Sequence, residues 1–188
     1  MGDVSGKGLP AAVQMATIVS MIEVAMLRSS ERGPRAVIGE VERLMYRRLS
    51  DAAMFVTLAI GRWSASTREL SIVNSGHSPI VYCQQGAMQR VDATAPPIGV
   101  IGDLVPDLQT LQTRSSDILV LATDGFTEQT DRNGLLFGED RFDDSVVGAA
   151  SWTETAADLG HALLSELDRF SADCEQADDR ALMVVRFT

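Results

Sequence analysis

The chain is short of cysteine, histidine and positive charge, and each shortage closes off a class of function. Cys83 and Cys174 are the only cysteines among 188 residues. They stand far apart without CxxC spacing, which argues against a disulfide framework or zinc site and suits a reducing compartment. His77 and His161 are the only histidines, so no His cluster competes with carboxylates for a metal. Lys and Arg number 16 against 26 Asp and Glu, giving a net charge of −10 and a pI near 4.6. That balance makes a nucleic-acid backbone a poor partner for the surface as a whole. No internal repeat, low-complexity tract or basic leader with a small-residue cleavage site is present. The one long apolar stretch, Leu9 to Leu27, is interrupted by Gln14, Thr17, Ser20 and Glu23. It reads as too polar and too short to span a membrane, and the chain is expected in the cytoplasm with no membrane partner.

What is present is the make-up of an ordinary globular domain. Apolar residues form 45% of the chain and charged residues 22%, and the length suffices for one domain, 1–188, with a real core. Met1 to Gly8 reads as a Gly-rich acidic loop running into a helix at Leu9, with Pro10 suited to the first helical turn. Leu9 to Leu27 is apolar nearly all round, which predicts a helix packed deep against a sheet. A second helix is predicted from Pro34 to Leu49, with Val37, Val41, Leu44 and Met45 on one face. Strand composition follows at Met54 to Trp63, Glu69 to Asn74 and Ile80 to Cys83, then at Leu108 to Thr113 and from Ile118. Ala95-Pro96-Pro97-Ile98-Gly99 reads as a stiff loop. Short helical turns are expected from Gly138 to Val147, and an amphipathic helix from Thr153 to Phe170, capped by Thr153. A last strand is read at Ala181 to Phe187. Closely spaced strands favour antiparallel hairpins, so the fold class is α+β.

The stretch Ile118 to Glu128, ILVLATDGFTE, carries the chemical interest. A short apolar run stopped by Asp124-Gly125 reads as a buried strand that brings a carboxylate to the surface. Asp3 before the first helix and Asp178 before the last strand stand at comparable places. Carboxylates converging from several elements suit a hard divalent cation such as Mg²⁺ or Mn²⁺. Two such ions can activate water and clamp a phosphoryl group. Three solvated acidic turns in an acidic protein would give the same composition.

Six segments in order, GDVSGKGLPAA, MFVTLAIG, NSGHSPIVY, PPIGV, LVLATDGFTEQTDRNGLLFGEDRF and ADDRALMVVR, resemble bacterial PPM/PP2C-type serine phosphatases across essentially the whole chain. The branch resembled is that of sporulation phosphatases and sigma-factor regulators. The resemblance implies a PP2C-like αββα sandwich of two antiparallel sheets flanked by helices, with Mg²⁺ or Mn²⁺ ions at one edge. It implies that Asp3 bridges the metals beside the Val4 carbonyl, and that Asp124 and Asp178 bind the first metal. Gly125 and Asp179 take supporting places. The implied reaction is direct hydrolysis of a phosphoserine or phosphothreonine by metal-activated water. The implied substrate is a phosphorylated signalling protein such as an anti-sigma-factor antagonist. No GxSxG nucleophile motif argues for a covalent route instead.

One departure from the family pattern bears on activity. Relatives carry earlier strands with a Gly-Gly-Asp motif that completes the second metal site, and neither those strands nor the strand that delivers Asp3 is expected here. The sequence therefore predicts an N-terminally truncated domain holding at most one ion, with weak or no turnover. An upstream sensor or receiver domain is expected in the intact protein, and exposed sheet edges invite a homodimer. The other reading is a non-catalytic regulatory or protein-binding module with a degenerate metal site. Ser5-Gly6-Lys7-Gly8 lacks the spacing of a P-loop, and Lys7 is assigned to the substrate phosphate or to solvent. His77 is read as shaping a turn near the sheet in preference to acid catalysis. His161 is read as structural, Met15, Met21 and Met26 as core, and Asp140 to Asp144 as a solvated face.

Overall fold

The computed structural model of the chain describes residues 1–172 and 174–188, and the side chains of all of these except Ser29 and Ser30. In chain order the elements are β1 (Gly2–Val4), α1 (Leu9–Ser29), α2 (Pro34–Asp51), β2 (Val56–Ser64), β3 (Glu69–Ser75), β4 (Ile80–Gln84), β5 (Ala87–Arg90), β6 (Gln109–Gln112), β7 (Ile118–Ala122), α3 (Asp124–Thr127), α4 (Glu139–Ala150), α5 (Ala156–Ser171) and β8 (Leu182–Arg186). They fall into two compact units. One comprises Met1–His77 and Ala93–Gln112, the other Ser78–Asp92 and Thr113–Thr188.

The first unit holds an antiparallel sheet of order β1-β2-β3-β6 with α1 and α2. The expectation that no strand delivers Asp3 is corrected: β1 pairs with β2, Asp3 opposite Thr57 and Val4 opposite Val56. Glycine-rich composition hid this strand, whose partner lies some fifty residues away in sequence. Side chains alternate across a strand, so Val4 enters the core while Asp3 lies on the other face, half-buried. In α2, Val37, Ile38, Val41, Met45 and Leu49 are buried, and Leu44, expected on that face, is exposed.

The deep burial expected of α1 is also corrected. Its fully buried apolar side chains are Ala11, Ile18 and Ala25, a narrow stripe with heptad spacing. Met15, Met21 and Ile22 pack beside that stripe, whereas Met26, read as core, is exposed. Leu9 and Leu27 are 77% and 84% exposed. By length and composition alone, Leu9–Arg28 has what a membrane-crossing helix needs, with a mean hydropathy of 1.6. Core helices of soluble proteins pass the same test, and this one supplies side chains to the core of its unit.

The second unit holds an antiparallel sheet of order β5-β4-β7-β8, with α3, α4 and α5. All five residues of β7 are buried. Each buried Val, Leu or Ile stabilises the fold by about 1.5–3 kcal/mol, so this strand anchors the unit. The expected short turns after Gly138 are a full helix, α4, whose Phe142, Val146 and Ala149 join the core formed with Leu159, Leu163 and Leu167 of α5. The cap of α5 is Thr155, whose hydroxyl accepts from the Asp158 N–H at 3.1 Å. Thr153, expected as the cap, instead donates its hydroxyl to the Ala149 carbonyl at 2.8 Å. The run Asp140 to Asp144 is solvated only in part. Asp143 is 5% exposed and receives Arg90 Nε at 2.7 Å, while the same guanidinium reaches Glu139 and Asp140. His161 lies on the exposed side of α5.

Candidate metal centre

In the second unit the fold brings two acidic turns into backbone contact. β7 ends at Ala122, and Thr123 in extended conformation leads into the single turn of α3, which starts at Asp124. The Thr123 N–H donates to the Ala181 carbonyl at 3.0 Å, extending the β7–β8 ladder by one rung. The Thr123 hydroxyl donates to the Asp179 carbonyl and accepts from the Ala181 N–H, both at 2.9 Å. A buried hydroxyl thus bridges the turn that carries Asp124 and the turn that carries Asp178 and Asp179. Gly125 makes the approach possible. A Cβ there would collide with the Asp179 carbonyl oxygen and would lie 3.1 Å from that of Asp178. Asp124 is exposed and Asp178 half-buried, and Asp178 Oδ1 accepts from the Asp179 N–H at 2.9 Å.

Gln129 makes a second bridge, which the sequence did not reveal. Its side chain is fully buried. Nε2 donates to the carbonyls of Thr130 and Glu175, each at 3.1 Å, and Oε1 accepts from the Ala177 N–H at 3.0 Å. A glutamine inside an acidic, irregular stretch has no periodic pattern to announce its burial. Only the fold reveals that its partners lie almost fifty residues downstream.

The remaining candidates lie in the first unit. Asp3 and Val4 are on β1, and Lys7 is exposed in the turn between β1 and α1. His77 is 2% exposed, and its Nδ1 lies 3.0 Å from the hydroxyl of Thr57, the residue opposite Asp3. Its backbone N–H and carbonyl are both held by the Asn74 side chain at 2.8 Å, the arrangement of a turn-shaping residue. Burial, helped by the charge of the terminal amine, pushes the imidazole pKa down to about 4, so it is neutral at physiological pH.

Among the described residues, no group of three or more His, Cys, Asp or Glu side chains is gathered closely enough to hold an ion. What the second unit offers is a pair of carboxylate-bearing turns kept in contact by Gly125. Their donors are all oxygen, which fits a hard divalent cation. A depression of about 820 Å³ between α4 and α5, lined by Asp144, Trp152, His161 and Arg169, includes none of these acids.

Two antiparallel sheets with their helices, and an Asp-Gly turn closing a buried strand, define the class: a PP2C-like fold of the PPM phosphatases. The SiaA PP2C domain of Pseudomonas aeruginosa has the same fold, with a TM-score of 0.87 and 23% identity, over 100% of this chain and 74% of that one. The catalytic domain of the serine/threonine protein phosphatase PstP, solved in complex with two manganese ions, matches at a TM-score of 0.66 and 13% identity, over 97% of this chain and 84% of that one. The family model of Stage II sporulation protein E (SpoIIE) matches residues 1–188, and the chain belongs to that family. Among curated proteins, the phosphoserine phosphatase RsbU of Bacillus subtilis is 30% identical over 140 residues, 72% of this chain. The chain spans 40% of the length of that relative.

Proposed function

We propose that the chain is the phosphatase domain of a divalent-metal-dependent protein serine/threonine phosphatase acting in bacterial signalling. The observation that carries the reading is the Thr123–Gly125 contact with Asp179, which keeps the Asp124 and Asp178 turns together in a chain matched throughout by the SpoIIE family. In the second unit Asp124 and Asp178 are the proposed ligands; in the first, Asp3 and the Val4 carbonyl oxygen on β1 are proposed as metal-binding groups. Mg²⁺ or Mn²⁺, when bound, supplies positive charge to a phosphoryl group and acidifies water. The chain's own residues hold the carboxylates in place: Thr123 and Gly125 fix the contact between the turns, and the sheet register fixes Asp3 opposite Thr57. Asp179 supports the turn through its carbonyl, and Lys7 is proposed to meet the substrate phosphate.

RsbU is named a phosphoserine phosphatase, which supports phosphoserine as the group hydrolysed; the proposed carrier of that group is a signalling protein such as an anti-sigma-factor antagonist. The test is Mn²⁺-dependent hydrolysis of p-nitrophenyl phosphate by the chain and by Asp124→Asn. The expected result is a metal-dependent rate, however small, that the substitution removes. Equal rates from the two proteins would take Asp124 out of the mechanism. No metal-dependent rate from either would favour a non-catalytic module.

A further inference from the structure

We propose that Gln129 is a positioning residue for this centre: its buried amide fixes the turn that carries Asp178 against the segment that carries Asp124, and thereby sets divalent-cation affinity. The inference rests on the proposed function and concerns a residue with no acidic or ligating chemistry of its own.

The segment from Cys174 to Ala181 contains no helix or strand. The β7–β8 ladder reaches only its last residue, Ala181, and within it Gln176 Nε2 donates to the Asp178 carbonyl at 2.7 Å. Two side chains from elsewhere hold the rest. Thr123 secures its end, at Asp179 and Ala181. Gln129 secures its beginning, accepting from the Ala177 N–H and donating to the Glu175 carbonyl. Asp178 lies between these two attachments. Gln129 also follows the single turn of α3 directly, where the Glu128 N–H closes onto the Asp124 carbonyl at 2.8 Å. Asp124 is thus tied to Gln129 by one short rigid turn, and Gln129 to Asp178 by one residue beyond Ala177.

Every polar atom of the amide is also engaged. Both Nε2 hydrogens and Oε1 have partners, which is the arrangement that lets a long polar side chain be fully buried. An apolar residue of equal length would fill the volume and leave the Glu175 carbonyl and the Ala177 N–H without this partner. A glutamine that holds the backbone one and three residues before a candidate ligand acts on that ligand's orientation. Residues that orient metal ligands typically change affinity about 10–100-fold when removed.

The test is Mn²⁺ titration of the full chain by calorimetry, with hydrogen exchange read at the Ala177 amide. Gln129→Met is expected to raise the Mn²⁺ Kd about 10–100-fold and to speed exchange at Ala177. Thr155→Ala, which removes the α5 cap, serves as the control for lost stability and is expected to leave the Kd unchanged. Should Gln129→Met not fold, the unaltered chain still decides. Binding and turn closure are reciprocal, so Mn²⁺ must slow exchange at Ala177, and unchanged exchange overturns the proposal. A folded Gln129→Met that binds Mn²⁺ as the unaltered chain does overturns this inference alone. An unaltered chain that binds no Mn²⁺ overturns the proposed function and this inference with it.

Discussion

Gly125 and Glu42 show how much single positions carry. A methyl group at Gly125 has nowhere to go except into the Asp179 carbonyl, and that obstacle is backbone, which cannot rotate away as a flexible side chain would. Gly125→Ala is expected to cost about 2 kcal/mol, as overpacking does, and to weaken Mn²⁺ binding by parting the acidic turns. A thermal melt unchanged from the parent would contradict this. Glu42 is 1% exposed on α2, with Oε2 accepting from the Gly99 N–H at 2.9 Å and Oε1 buried without a hydrogen bond. Gly99 has a φ of +91° and lies against Leu49, so the loop cannot easily shift to supply another donor. Burial raises the Glu42 pKa, and the Gly99 hydrogen bond only partly offsets it. A folded-state pKa above the unfolded one means that the protonated group favours folding. Its contribution is therefore full below the ordinary carboxylate range and is lost as pH rises through the folded value. Glu42→Gln keeps an acceptor for Gly99 and removes the ionisation. Its Tm is expected to exceed the parent's by about 2–4 °C at pH 7.5, the shift that ~1 kcal/mol produces at this size, and to converge with it near pH 4. A constant difference across that range would show that ionisation is not the cause.

At the scale of elements, α4 depends on a charge clamp as well as on its apolar face. Arg90, on the edge strand β5, holds Glu139, Asp140 and Asp143 in the first turns of α4. The guanidinium is half-exposed, but Asp143 is buried, with Oδ1 unpaired. Arg90→Met would leave that carboxylate without its counter-charge. The expected loss is about 2 kcal/mol in urea unfolding, less than for a fully buried pair because Arg90 keeps water contact. A loss under about 0.5 kcal/mol would place the network among ordinary surface pairs. The same helix shows why legibility in the sequence was uneven. β7 and α5 were readable because one apolar run and one helical spacing dominate them. The apolar positions of α4, Phe142, Val146 and Ala149, are spread among charges that signal solvent until Arg90 is seen beside them. β5 has four exposed residues and no apolar pattern, so nothing local separates it from a turn. Thr153 was read as the cap of α5, and backbone geometry puts the cap two residues on, at Thr155.

At the scale of the molecule, the order of six segments carried more than any one of them. Periodicity alone left Asp3, Asp124 and Asp178 as three acidic turns, whereas the fold of the second unit joins the turns of Asp124 and Asp178 through Thr123 and Gly125. The candidate acids were legible because their chemistry is visible in a one-letter code. Thr123 and Gln129, which hold two of those acids in register, were not, because hydrogen bonds spanning 56 and 48 residues leave no local trace. The central claim is that Asp124 binds a divalent cation, and a Mn²⁺ titration of the full chain tests it most directly. It compares the unaltered protein with Asp124→Asn and with Asp144→Asn, an exposed acid on α4. The account predicts saturable binding weakened at least about tenfold by Asp124→Asn, as expected for loss of a group central to the site, and unaffected by Asp144→Asn. Equal affinities in all three proteins would contradict it.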